Sequence, residues 1–296
     1  MPKISIVVTA VNGAATIDRC LRALENQQGG VDAEIIVVGG DREESADRLL
    51  RNFPRIKFLH CPERLSIPEL RALGVAQATG EIIVVTEDRC VAAENWLAEI
   101  SRAHTRGYPV VGGTIEPDGI KGILNWAVYL CEYSGLMLPI PEGEVSGVAG
   151  NNASYRREAL ACADGEARKN CWEFFLHAEL QQAGIKFLCA PTVVVRKNID
   201  FGFLYFLRQR FHYSRSFAGM RRAKMTAPRR AIYAALTPAL PILMLWRIAQ
   251  QVCHKQRYQK KFLLALPLLT AFMFSYAAGE FAGYLFGMGT SLLKVE

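Results

Sequence analysis

The sequence predicts an α/β protein with a parallel sheet, followed by membrane-associated helices. In the first half of the chain, short runs rich in β-branched residues alternate with helical patterns, which is typical of a parallel sheet. After about residue 225 the composition changes, because two long apolar segments follow a basic stretch. We therefore expect a domain at residues 1–225 and a helical region at residues 226–296.

The predicted strands place polar residues at one edge of the sheet. Helical patterns such as ATIDRCLRALENQ and SIPELRALGVAQA separate the β-branched runs, which lie at residues 4–10, 33–40, 56–61 and 81–87. Ligands of such sheets bind beyond the carboxyl ends of the strands. Polar or glycine-rich sequence follows three of these ends, at residues 9–13, 39–41 and 87–89. We expect those three ends to line one crevice.

Charge is divided unevenly along the chain. Residues 1–200 carry 21 basic and 26 acidic side chains, a net −5, whereas residues 201–296 carry 14 and 2, a net +12. The basic stretches 208–230 and 254–261 adjoin apolar segments at 231–246 and 262–289. This pattern favours contact with anionic lipid headgroups over nucleic acid. The start, MPKISIVVTA, lacks the features of a signal peptide, so we expect the first domain on the cytoplasmic side of a cell membrane.

The eight cysteines have no CxxC pair and no regular spacing. Disulfide and zinc sites are therefore only weakly indicated, and we expect buried reduced thiols.

The run EIIVVTEDRC ends a buried strand in two acids and a base, Glu87, Asp88 and Arg89. Carboxylates at the exposed end of a strand are suited to binding a divalent cation, Mg²⁺ or Mn²⁺, that neutralises a diphosphate. Glu87 and Asp88 are the candidate metal ligands. The alternative is that they only cap the following turn.

Three stretches, SIVVTAVNGAATIDRCLRAL, EIIVVGGDREESAD and ATGEIIVVTEDRC, resemble the inverting family 2 glycosyltransferases, whose catalytic domain has the GT-A fold. The resemblance covers most of residues 3–217. It implies a nucleotide-diphosphate sugar as donor, with UDP as the general expectation. The implied donor-binding residues are Thr9, Ala10, Asn12, Asp41, Glu87, Asp88 and Arg89.

The sequence departs from the family pattern at the donor site. Gly39 and Gly40 stand where the family has an Asp, which leaves Asp41 as a shifted substitute. Arg89 stands where the family has its second metal-binding acid. Either Glu87 and Asp88 hold the metal between them, or Arg89 neutralises the diphosphate directly.

Two further stretches resemble the acceptor side of the family. GVAGNNASYRREAL implies acceptor contacts at Gly150, Asn151 and Asn152, and CWEFFLHAELQQAGIKFLCAP implies one at Trp172. Counting back from Gly184, Glu173 falls on the family's catalytic acid. An inverting transfer needs one general base and no covalent nucleophile, and we expect an apolar setting to preserve the basicity of Glu173. The alternative is a helix-start Glu that complements the helix dipole.

The stretch FLRQRFHYSRSFAGMR lies where the family carries a Gln/Arg-rich loop over the donor diphosphate. The implied donor contacts are Arg208, Gln209, Arg210 and Arg215. An amphipathic helix at the membrane surface is the alternative interpretation.

These features favour a membrane-attached enzyme that transfers a sugar to a lipid-linked or cell-surface glycan acceptor. A membrane scaffold or nucleotide-sugar-binding protein with impaired catalysis is the alternative, and a nucleic-acid binder is disfavoured.

The apolar segments also carry a prediction of topology. Pro238 and Pro241 are expected to break the first segment and Arg247 to end it, so that it forms a bent hairpin on the cytoplasmic face. The second segment either spans or bends back, with Glu280 facing protein, water or a polar headgroup.

Overall fold

A computed structural model describes residues 3–12, 14–39, 43–163, 172–223 and 225–295. They form two compact units, one of residues 1–118 and 136–198, the other of residues 119–135 and 199–296. The predicted boundary at residue 225 falls inside the second unit.

The first unit is built on a mixed sheet, in which the described residues form nine strands. They are β1 Ile4–Ala10, β2 Ala33–Gly39, β3 Ile56–His60, β4 Ile82–Glu87, β5 Cys90–Ala92, β6 Val110–Pro117, β7 Gly143–Val145, β8 Ala153–Arg156 and β9 Phe187–Lys197. The strand order is β3-β2-β1-β4-β8-β6-β9-β5, with β7 paired to β9. Strands β1 to β4 are parallel, and β8 adds to β4 in the antiparallel sense. The four predicted strands are confirmed. β1, β2 and β4 are largely buried runs rich in β-branched residues, whereas only Ile56 of β3 is buried.

Helices of the first unit cross between these strands. They are α1 Ala14–Glu25, α2 Glu43–Asn52, α3 Ile67–Gln77, α4 Trp96–Thr105, α6 Arg157–Ala161 and α7 Glu173–Gln182. Helix α3 starts at Ser66, whose backbone N–H donates to the Glu69 carboxylate at 2.8 Å, and Pro68 occupies its first turn. Gly74 then allows close packing on the sheet, since a Cβ there would lie 2.3 Å from Val7 Cγ1. This approach fixes which residues of α3 reach the ends of β1 and β4.

The second unit is helical. It contains α5 Gly122–Tyr133, α8 Phe203–Ala223, α9 Ala227–Leu236, α10 Leu240–Lys255 and α11 Gln259–Phe286, with 3₁₀ turns at Thr237–Ala239 and Leu292–Lys294. Helices α8 and α11 pack closely, because a Cβ at Gly279 would lie 2.2 Å from Phe211 O and one at Gly283 would lie 2.6 Å from Arg215 O. As expected, Glu280 faces protein and accepts a hydrogen bond from Tyr284 Oη at 3.1 Å.

The structure corrects one detail of the first apolar segment. The expected break at Pro238 is a 3₁₀ turn, but Pro241 lies in the first turn of α10, where a missing N–H breaks no helical hydrogen bond. The helix therefore runs on through Arg247 to Lys255, beyond the apolar segment that Arg247 closes. Two segments, Ala227–Lys255 and Gln259–Phe286, are long and apolar enough to cross a membrane.

Candidate active site

Asp88 joins the end of β4 to the loop after β1. It is fully buried, and its Oδ2 accepts hydrogen bonds from the backbone N–H of Val11 and of Asn12 at 2.9 and 2.7 Å. Its Oδ1 accepts a third from Asn12 Nδ2 at 2.8 Å. Burial raises the pKa of Asp88, although the bonds from Asn12 oppose the shift. The expected meeting of the β1 and β4 ends is confirmed: the two strands pair in parallel, and Asp88 adds hydrogen bonds to the loop after β1.

Glu87, the last residue of β4, is held by two buried cations. Arg71 Nη2 donates to its Oε1 at 2.8 Å, and Lys197 Nζ, at the end of β9, donates to its Oε2. Burial alone would raise the pKa of Glu87, but Lys197 and Arg71 outweigh it and lower that pKa to about 2. Glu87 is therefore a carboxylate at any physiological pH.

Arg71 extends this network to the predicted base. It lies on the buried face of α3, and its Nη1 donates to Glu173 Oε2 at 2.8 Å. One guanidinium thus binds two carboxylates that lie 16 and 102 residues away in the sequence. Glu87 and Glu173 outweigh burial, which alone would lower the pKa of Arg71, and they raise it above its ordinary value. The setting of Glu173 is not purely apolar as expected, because a cation is its immediate neighbour.

Glu173 lies in the wall of a small pocket, and its side chain is 29% exposed. Gly150 lies against the Arg71–Glu173 pair, since a Cβ there would lie 2.5 Å from Arg71 Nη1 and 2.7 Å from Glu173 Oε2. The other lining residues are Val75, Val85, Tyr155, Leu160 and Leu176. The structure therefore brings the predicted base and one predicted acceptor residue to one place.

Several other predicted contacts have structural partners instead. The hydroxyl of Thr9 bonds to the Thr86 carbonyl at 3.4 Å, and Ala10 is buried in β1. Asn152 accepts from Trp96 Nε1 and donates to two carbonyls, which favours a structural role over the predicted acceptor contact.

The other predicted site residues of the first unit are Asn151, Trp172, Arg89 and Asp41. Asn151 is buried, and its carbonyl accepts from Thr86. Trp172 is buried at the start of α7, and Arg89 lies half-buried in the turn between β4 and β5. Asp41 lies outside the described residues.

The predicted loop over the diphosphate is helical, since Arg208, Gln209, Arg210 and Arg215 all lie on α8. Arg210 is buried and paired with Glu132 at 2.8 Å, and Arg215 Nε donates to the Gly287 carbonyl. Gln209 is also buried, whereas Arg208 is exposed. The loop expected here is wrong, and the donor contacts of these four residues stay predictions.

The carboxylates fit a divalent cation only in part. Their oxygens are the ligands that Mg²⁺ and Mn²⁺ prefer, but both oxygens of Asp88 serve the loop after β1. The oxygens of Glu87 are bonded to side-chain cations that a metal could replace. No group of three or more His, Cys, Asp or Glu suited to a metal occurs among the described residues. Glu87 fits as a ligand in exchange for Lys197, whereas Asp88 would have to bind a metal in addition to the hydrogen bonds that its oxygens already accept.

Comparison with known proteins identifies the family. The family model for glycosyl transferase family 2 matches residues 5–163, just over half of the chain. The chain belongs to glycosyl transferase family 2. Its structure is similar to that of a mannosyltransferase, PcManGT from Pyrobaculum calidifontis, with a TM-score of 0.57 and 15% identity over 94% of this chain and 87% of that one. The expected GT-A fold is confirmed.

Relatives in sequence match only part of the chain. The uncharacterized protein MT1568 of Mycobacterium tuberculosis is 30% identical over 36% of this chain and 42% of its own length. Polypeptide N-acetylgalactosaminyltransferase 12 of Mus musculus is 28% identical over 46% of this chain and 23% of its own. The chain thus spans less than half the length of these relatives.

Sequence reasoning missed the two cations that organise this family 2 site. Arg71 sits between Leu70 and Gly74 on the apolar side of a predicted helix, where a charged residue needs a buried partner. Lys197 ends a strand that was not assigned from sequence. The sequence therefore contains a signal for Arg71 and none for Lys197.

Replacing Gly150 with Ala tests the contact between Gly150 and the Arg71–Glu173 pair. The added Cβ should displace the Glu173 carboxylate, and we expect sugar transfer to fall by about 10-fold to 100-fold. Steady-state transfer rates would measure the effect. Gly143→Ala is the matched control, because a Cβ there meets nothing within 4 Å. Equal turnover of both variants and the wild type would show that the Glu173 position is unimportant.

Proposed function

We propose that this chain is a membrane-attached inverting glycosyltransferase that moves a sugar from a nucleotide-diphosphate donor to a lipid-linked or cell-surface glycan acceptor. The observation that carries the proposal is Glu173, a partly exposed carboxylate in a pocket wall, fixed by Arg71 beside Gly150. Membership of family 2 supports glycosyl transfer as the reaction class.

Glu173 would act as the general base. Arg71 engages Oε2, whereas Oε1 has no hydrogen-bond partner among the described residues. That oxygen takes the proton of the acceptor hydroxyl as the acceptor oxygen bonds to the anomeric carbon. The bond from that carbon to the diphosphate oxygen breaks, and the nucleoside diphosphate leaves. A single displacement of this kind inverts the anomeric configuration.

Arg71 would be a positioning residue for this step. Its two bonds fix Glu173 relative to Glu87, at the strand ends where donors bind in α/β sheets. The orientation of a paired carboxylate is fixed before substrate arrives.

The donor is expected beside the loop after β1 and the end of β4. Asp88 orients the backbone of Val11 and Asn12, and Arg89 supplies a cation near the same strand end. The matched mannosyltransferase is described in complex with GDP-Man and Mn²⁺. We therefore extend the expectation of a UDP-sugar to GDP-sugars, and a donor screen should contain both.

A divalent cation is part of this proposal. It would neutralise the charge of the diphosphate, and Glu87 is the residue that would hold it, in place of Lys197. Arg71 would keep its bond to Glu173 in that exchange.

The apolar helices of the second unit support membrane attachment, and the net charge of +12 over residues 201–296 supports contact with anionic lipid. Nucleotide sugars are made in the cytosol, so we place the first unit on the cytoplasmic side. A lipid-linked acceptor fits this location.

Glu87 and Asp88 are both hydrogen-bonded to protein groups. This observation favours the alternative, a protein that binds nucleotide sugars without turnover. The test of the base separates this alternative from the enzyme.

Glu173→Gln keeps the size of the side chain and removes its basicity. We expect donor binding to change little and transfer to fall by about 100-fold or more, because the acceptor proton has no base. Transfer is followed with a panel of nucleotide sugars, and donor binding by calorimetry. Glu179→Gln on the same helix is the control. Near-normal turnover of Glu173→Gln would refute the assignment, and an inactive wild type across the panel would favour the binding protein.

Lys197→Met removes the side chain that competes with a cation for Glu87. The variant should lose about 3–5 kcal/mol of stability, because a buried carboxylate loses one partner. Mn²⁺ with a nucleoside diphosphate should then raise its melting temperature more than that of the wild type, each measured against its own metal-free sample.

The control for that measurement is Lys186→Met, which removes an exposed lysine paired with Glu144. If Mn²⁺ shifts the melting temperatures of all three proteins equally, Glu87 is not a ligand. Lys197→Gln replaces the Met variant should the latter not fold.

A further inference from the structure

The turn between the two candidate membrane helices is fastened to α5. Lys255 Nζ, at the end of α10, donates to the carbonyls of Ser134 and Gly135 at 3.0 and 2.8 Å. Tyr258 packs on Trp126 with ring centroids 4.5 Å apart, and Lys261 lies over the same indole. The turn at residues 255–261 therefore stays with the segment that contains α5.

That segment cannot cross a membrane. It is a 17-residue excursion, residues 119–135, and both of its flanks are hydrogen-bonded in the sheet. Asp118 N donates to Lys197 O, and Ile115 N donates to Leu136 O. A helix of 12 residues is about 18 Å long, too short to cross the hydrocarbon core of about 30 Å and return. The turn is therefore on the same side of a membrane as the sheet.

Helix α11 leaves this turn and then runs beside α8. Ser275 Oγ donates to Leu207 O at 2.7 Å, and a Cβ at Gly219 would lie 2.3 Å from Met288 N. Residues 207–219 of α8 thus run parallel to residues 275–288. If α11 crossed the core, this part of α8 would enter it too, with Arg208 and Arg215. Such cations are costly in hydrocarbon, and α8 is not among the candidate spans in the described residues.

The helices α9 and α10, like α11, could cross a membrane only together with α8. They begin at Ala227, shortly after α8 ends, and finish at Lys255 in the turn on the sheet side. A crossing would carry Arg229, Arg230 and the end of α8 to the far side. Neither apolar segment can therefore cross unless α8 crosses with it.

The apolar surface of these helices is nevertheless exposed. On each of them large apolar side chains are more than half exposed: Ile232, Leu236, Ile242, Trp246, Leu263, Leu264, Phe274 and Phe286. On α11, Leu263, Phe274, Phe281 and Leu285 lie within about 40° of one line along the helix, at 100° per residue. Water is a poor solvent for a surface of this kind.

We propose that α9, α10 and α11 lie in the plane of an anionic membrane, with this apolar face in the cytoplasmic leaflet and neither segment crossing. The inference rests on the proposed function for the membrane attachment and settles its form. Basic side chains bordering the apolar segments, including Arg229, Arg230, Lys260 and Lys261, supply the charge complementarity to anionic headgroups.

Thiol labelling of the full chain in intact cells tests this arrangement. After native cysteines are replaced, Asn26→Cys reports the side of the sheet and Thr290→Cys the far end of α11, both at exposed positions. We expect an impermeant reagent to label both only after the cells are opened. Labelling of Thr290→Cys alone in intact cells would show a span and overturn the proposal.

Vesicle flotation identifies what covers the apolar face. Wild type should float with vesicles of phosphatidylcholine and phosphatidylglycerol, and Ile242→Asp combined with Leu263→Asp should abolish flotation. Asn26→Asp is the control for added charge. A wild type that does not float, or a face that only joins two copies of the chain, would overturn the proposal. Unchanged sugar transfer to a soluble acceptor analogue would then show that the catalytic assignment survives.

Discussion

The site depends on one buried guanidinium. Arg71 is 5% exposed and bonds Glu87 on one side and Glu173 on the other, so that the end of β4 and the start of α7 have a fixed separation. With Lys197 the cluster holds two cations and two carboxylates and is neutral as a whole. Burying these charges is tolerable only because each has a partner, and losing one partner strands another charge.

A second constraint fixes the other side of the crevice. Asp88 satisfies three donors of the loop after β1, and these three hydrogen bonds stabilise its buried carboxylate. The adjacent acids Glu87 and Asp88, at the end of β4, therefore have different structural roles. Asp88 fixes the loop after β1, whereas Glu87 pairs with Arg71 and Lys197.

The sequence predicted what is local. Strands β1 to β4 follow from short runs rich in β-branched residues, and the resemblance to family 2, counted back from Gly184, pointed to Glu173. Contacts distant in sequence could not be predicted, such as Arg71 with Glu173 across 102 residues, or Lys255 with the end of α5. The same limit explains why the course of α10 from Pro241 to Lys255 was not predicted, since a proline breaks or starts a helix depending on where the first turn falls.

The coupling of Arg71 to Glu173 is the central claim, and a double-mutant cycle on turnover at saturating donor tests it most directly. Arg71→Gln, Glu173→Gln and the double variant are compared with wild type. If Arg71 acts through the base, the double variant should turn over no more slowly than Glu173→Gln alone. Losses that multiply in the double variant would show that Arg71 acts independently of Glu173 and would contradict the account.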